Sequence, residues 1–162
     1  MTSVAAAGFL QSARKLPARA GVGLKPEHYR DVLDSFPDIG WFEVHAENYM
    51  GAGGAPHHYL GRLRDAYPLS IHGVGLSLGG EDALDDEHLA RLASLVRRYD
   101  PEFVSEHIAW STRGGAYFGD LLPIPYNNIT LARLCGRVAH VQERLGRRIL
   151  LENPATYVAF ST

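Results

Sequence analysis

Four short apolar runs along the chain each stop at a histidine, a glutamate or an asparagine. Residues 41–44 run into His45, Glu47 and Asn48, and residues 69–71 end at His72. Residues 103–105 meet Glu106 and His107, and residues 149–151 meet Glu152 and Asn153. Runs of this length, bounded by breakers such as Pro68 and Gly73, predict strands of a parallel sheet covered on both faces. A fifth run, 20–24, precedes them. Between the runs the apolar period lengthens to that of helices. Pro26 opens a segment with Tyr29, Val32, Leu33 and Phe36 at helical spacing, and Pro56 opens a second with Leu60, Leu63 and Tyr67, closed by Pro68. Acids at 85–87 head a third segment with Leu89, Leu92 and Val96 as its stripe, and Arg97 and Arg98 fall in its last turn, as the helix dipole favours. Asn127 or Asn128 caps a fourth, whose stripe Leu131, Leu134, Val138, Val141 and Leu145 stops at Gly146. Residues 110–125, rich in aromatics and glycines, read as a long functional loop.

Strand and helix thus alternate four times before a last strand, which predicts an α/β fold with right-handed crossovers. An open doubly wound sheet and a (β/α)8 TIM-type barrel both satisfy that order. A dinucleotide site in the open sheet needs G-x-G-x-x-G after the first strand; here Gly73, Gly75 and Gly79 follow the third strand and miss the spacing by one. Polar residues ending several successive strands favour the barrel, whose active sites are built that way. A complete barrel takes ~250 residues, and the chain has 162. The expected organisation is a flexible leader over residues 1–17, then the first half of a barrel over 18–162: β/α units one to four plus strand five.

Composition narrows the chemistry. An apolar fraction of 46% with 21% charged residues and a net charge of −2 describes a globular chain without the basic stripe that nucleic acid requires. No stretch approaches the ~20 apolar residues of a membrane span. Eight histidines accompany a single cysteine, Cys135, so any metal must be held by histidines and carboxylates, and a reducing cytoplasm is the expected compartment.

His72, His107 and Glu152 end the third, fourth and fifth strands and are expected to converge above the sheet. Two imidazoles and a carboxylate suit Fe(II), Mn(II) or Zn(II). His45, Glu47, Asn48, Glu106 and Asn153 stand near the same strand ends, where orienting a ligand, contacting substrate or making a structural hydrogen bond are all open to them. His57 and His58 read as solvated surface, Cys135 as a buried inert thiol, and Trp110, Tyr117 and Phe118 as an aromatic cluster over the barrel or a peptide contact. No residue is singled out as an acid, base or nucleophile.

Six ordered blocks carry a family resemblance: Gly21-Val22-Gly23-Leu24; Phe42-Glu43-Val44-His45-Ala46-Glu47-Asn48-Tyr49-Met50; Ser70-Ile71-His72-Gly73-Val74-Gly75-Leu76-Ser77-Leu78; Ser105-Glu106-His107-Ile108-Ala109-Trp110-Ser111; Asp120-Leu121-Leu122-Pro123; and Leu150-Leu151-Glu152-Asn153-Pro154. Over roughly residues 20–160 the chain resembles the DUF692 family of bacterial TIM-barrel proteins, the multinuclear non-heme iron-dependent oxidases related to the methanobactin biosynthesis oxidase. The resemblance implies two or three irons in the complete site, with O2 as co-substrate. It implies a cysteine-containing, ribosomally made precursor peptide as substrate, and a small partner protein that delivers it. His72, His107 and Glu152 match motif positions where the family places metal ligands. The family's second half, with further Asp, His and Glu ligands, has no counterpart in these residues. Two other functions fit the residues alone: a divalent-metal isomerase or hydrolase on a similar barrel, and a truncated chain that binds a partner through open sheet edges without turnover.

Overall fold

The computed structural model describes residues 16–155; most of the expected leader lies outside the described residues. Strands β1 (Gly21–Gly23), β2 (Trp41–His45), β3 (Leu69–Gly73), β4 (Phe103–His107) and β7 (Leu150–Glu152) form one sheet in that order, every pair parallel. Helices α1 (Tyr29–Ser35), α2 (Ala55–Ala66), α3 (Asp86–Tyr99) and α4 (Asn128–Leu145) separate them in the chain. A parallel sheet whose spatial order equals its chain order is the arc of a (β/α)8 barrel, as the alternation of periods predicts.

Register decides which residues share a face. Val44, Ile71 and Val104 are aligned across β2, β3 and β4, and all are buried with Phe42 and Leu69 under Leu60, Leu63, Leu89, Leu92 and Val141 of the helices. Because side chains alternate, the opposite face carries Glu43 and His45, Ser70 and His72, Ser105 and His107, and Glu152. It is the barrel's interior face, and its polar character explains why these strands are not uniformly apolar.

Local chemistry places the helices. The Asp85 carboxylate accepts from the N–H groups of Glu87 and His88, and α3 ends at Asp100 in the left-handed region. Asn127 accepts from Thr130 N–H at the start of α4, and Gly146 closes it at φ 66°. Glu102 joins the layers beneath the sheet. Its carboxylate accepts from Leu69 N–H at 2.8 Å and pairs with Arg64 at 3.3 Å.

Three expectations need correction. Residues 110–125 are not one loop, since they form an antiparallel hairpin of β5 (Trp110–Arg113) and β6 (Ala116–Leu122). Gly114 and Gly115 both take positive φ, 59° and 77°, the two-residue turn that matches the twist of paired strands. His57 is not solvated. It is buried, with Nδ1 2.7 Å from the Tyr99 hydroxyl and Nε2 2.8 Å from the Gly51 carbonyl. Cys135 is exposed rather than buried, as is Leu131 on the same helix.

Candidate metal centre

The first site residue is set by β3, buried at all five positions, which leaves the His72 ring no freedom to leave the strand end. His72 Nδ1 lies 2.8 Å from Ser105 Oγ, its register partner on β4. With the hydroxyl as acceptor, the proton sits on Nδ1 and the Nε2 lone pair faces inward, the tautomer that a metal ligand uses. Two residues further along β4, His107 projects from the same face. Its Nε2 lies 2.9 Å from His72 Nε2, with the rings nearly perpendicular at 77°. Glu152, paired in register with His107, brings Oε2 to 3.8 Å from His72 Nε2. One donor atom from each of the three lies within 4.8 Å of the others.

Burial, and then the neighbouring His72, push the His107 imidazole below its ordinary pKa, which favours the neutral ring, with one nitrogen's lone pair free to bind. Two ring nitrogens facing each other at 2.9 Å fit neighbouring positions around one ion, since ligands at ~2.1 Å and right angles sit about 3.0 Å apart. The donor set is a two-histidine, one-carboxylate face, the set associated with non-heme Fe(II). His72, His107 and Glu152 therefore fit the iron that the sequence resemblance implies.

Residues 19–162 match the family model described as RiPP precursor modification enzyme MbnB/TglH/ChrH. The chain belongs to that family. It is 57% identical over 145 residues to a UPF0276 protein of Bordetella pertussis, covering 90% of this chain and 50% of the relative. It is 52% identical over 149 residues to one from Paraburkholderia phytofirmans, covering 92% and 48%. A third, from Vibrio parahaemolyticus, is 45% identical over 140 residues, covering 86% and 49%. The chain spans about half the length of the curated relatives it matches.

The other residues expected near the strand ends of this family member divide by face. His45 is exposed on the interior face, its ring centroid 5.6 Å from that of His72. Asn48 is exposed in the 3-10 turn Ala46–Tyr49 that follows β2. Asn153 follows β7 and borders a shallow cavity with Ile108, Tyr126, Leu131 and Leu134. Glu106 points to the helix side. It is 2% exposed and accepts from the backbone N–H of His107 at 3.0 Å and of Leu76 at 3.4 Å. Burial drives its carboxyl up to about 8, so it stays largely protonated at neutral pH.

Glu47 ties down the loop that leaves β3. Its Oε1 accepts from Val74 N–H at 3.0 Å and Gly75 N–H at 2.8 Å, and lies 3.3 Å from His88 Nε2 on α3. Burial alone would raise its pKa, but the His88 ring and the Val74 N–H together hold it below the ordinary value. Sequence reasoning missed Ser105 and His88. Ser105 had a legible signal, since it lies two residues before His107 and so on the same face. His88 had none, because it comes from a helix and reaches the site only through packing.

Proposed function

We propose that this chain carries one metal-binding corner of a multinuclear non-heme iron oxidase that modifies cysteines of a ribosomally made precursor peptide with O2. One observation carries the proposal: a two-histidine, one-carboxylate cluster at the strand ends of a chain belonging to a family of precursor-peptide modification enzymes. His72, His107 and Glu152 hold the metal. Glu152, with two oxygens and an exposed side chain, is the residue able to bridge to a second ion. When bound, iron supplies the one-electron and O2 chemistry that a thiol oxidation needs and that no side chain provides. The protein's own part is positional. Ser105 fixes the His72 tautomer, the low pKa of His107 keeps it ready to bind, and Glu47 fixes the glycine loop beside them. His45, Asn48, Glu106 and Asn153 belong to the surrounding shell, on the peptide side or behind the ligands. A cytoplasmic setting and a small peptide-delivering partner complete the proposal; among the described residues no helix is long and apolar enough to cross a membrane.

Anaerobic loading with Fe(II) followed by metal analysis tests it. Wild type should retain iron after desalting, and His72→Ala, His107→Ala and Glu152→Ala should each lose it while keeping the helical circular dichroism. Three donors leave at least half of an octahedral shell to water, so binding should be weak, and thiol oxidation on adding O2 and a cysteine-containing peptide should be slow in this chain alone. Tight Zn(II) or Mn(II) with no affinity for iron would instead support a Lewis-acid isomerase or hydrolase. Unchanged iron retention in all three variants would refute the ligand set.

A further inference from the structure

A cavity of about 350 Å3 opens between the loop leaving β3, the β5–β6 hairpin and the first turn of α4. Trp110, Ile124, Pro125 and Ile129 give it an apolar wall, and Arg113, Arg133 and Glu81 stand around it. Two guanidinium groups thus face one carboxylate, and the N-terminus of the 18-residue α4 adds partial positive charge. Arg113 and Glu81 are 3.5 Å apart with both side chains about two-thirds exposed, a pair of little worth in water and open to exchange with an incoming carboxylate. Arg133 uses one nitrogen on the Gly80 carbonyl, at 3.1 Å. The volume lies at the small end of ligand sites and suits one large side chain with a neighbouring carboxylate.

The cavity is built from the same loops that leave the metal centre. Gly79 N–H donates to the Ala109 carbonyl at 2.8 Å. Ser77 Oγ accepts from Ser111 N–H at 2.9 Å and Thr112 N–H at 3.2 Å. Arg137 of α4 donates to the carbonyls of Ser77, Leu78 and Asp82. The loop after His72 and the strand after His107 are therefore bonded into one wall. Trp110 follows His107 by three residues, so their Cα atoms are at most ~11 Å apart. No part of that wall comes from β7.

We propose that this cavity anchors the substrate peptide: it takes a large apolar side chain next to an Asp or Glu, about three to five residues along an extended segment from the cysteine presented to the metal centre. The assignment rests on the peptide-modifying function proposed above. Anchoring away from the reacting thiol would let the enzyme choose one cysteine among several in a precursor, because only one lies at the right spacing.

Affinity selection tests it with the 162-residue chain, both metal-free and Fe(II)-loaded under anaerobic conditions. The probe is a pool of capped octapeptides with one cysteine fixed near the C-terminus and every other position randomised. Peptides carrying an aromatic or large aliphatic residue beside Asp or Glu at that spacing should be enriched in both metal states. Arg113→Gln and Ile129→Glu change side chains that are largely exposed and so leave the fold intact. Each should weaken the best selected peptide about tenfold or more. No enrichment, enrichment indifferent to the acidic residue, or full affinity in both variants would overturn the anchor. A chain that selects these peptides but binds no metal would sink the metal centre and leave the anchor standing. A chain that loads iron and selects no such peptide would sink the anchor alone.

Discussion

Asp85 shows how one carboxylate sets a helix. It accepts from His88 N–H at 3.0 Å and Glu87 N–H at 2.9 Å, and the His88 N–H foremost holds its pKa below the ordinary value. A depressed folded pKa means stability that is fully present above the unfolded value of ~3.9 and is lost as pH falls through the folded one. Asp85→Ala should therefore cost about 1 kcal/mol at pH 7, and the difference from wild type should shrink as the medium is acidified below that range. Urea melts at neutral and acidic pH measure it; an equal gap at both would remove the electrostatic account. The adjacent histidines His57 and His58 give a sharper contrast. His57→Ala removes the ring that meets the buried Tyr99 hydroxyl and the part-buried Gly51 carbonyl and should cost about 1–3 kcal/mol. His58 is exposed, and His58→Ala should fall within about 0.5 kcal/mol of wild type.

At the scale of elements, the hairpin β5–β6 is held to the sheet through the loop after β3 rather than by strand pairing. Gly79 is the closest point of that contact. A Cβ there would run into Ile124 Cγ2 and stand 3.0 Å from the Ala109 carbonyl oxygen, and backbone cannot yield as a flexible side chain can. Gly79→Ala should destabilise the chain by about 1–3 kcal/mol. The loss should be local: amide exchange should quicken across β5 and β6 while β3 keeps its protection. Uniform acceleration over both would show that hairpin and sheet open as one unit.

On the scale of the molecule, the sheet begins at β1 and ends at β7, and among the described residues each pairs on one side only. Leu150 and Leu151 on β7 are 52% and 41% exposed, and Leu131 on α4 is 57% exposed. Edge strands with large apolar side chains recruit other chains. At micromolar concentration the chain should sediment as a particle larger than its 17.8 kDa, and Leu150→Lys with Leu151→Lys should shift it toward the monomer. A wild-type chain that stays monomeric at high concentration would show that this edge is covered some other way.

The sequence by itself determined the strand and helix order, because short apolar runs give way to segments of 3.6-residue period and breakers such as Pro26, Pro56, Pro68 and Gly146 mark the changes. It also determined which residues end the strands, and so named His72, His107 and Glu152 together. Only the tertiary structure decided what depends on distant partners. His57 follows a proline at a helix start and reads as surface until Tyr99, 42 residues away, closes over it. Cys135 and Leu131 lie on or beside an apolar stripe, yet α4 turns only part of that stripe inward, since Leu134 and Val141 suffice to meet the sheet. The hairpin was within reach of sequence, in Gly114-Gly115 between two aromatic stretches, but its docking onto Gly79 was not. Alternation along β4 separates Glu106 from His107, and only the register with β3 shows which of the two joins His72. Periodicity is local and survives in one dimension; register, burial and convergence are relations between segments and exist only once the chain has packed.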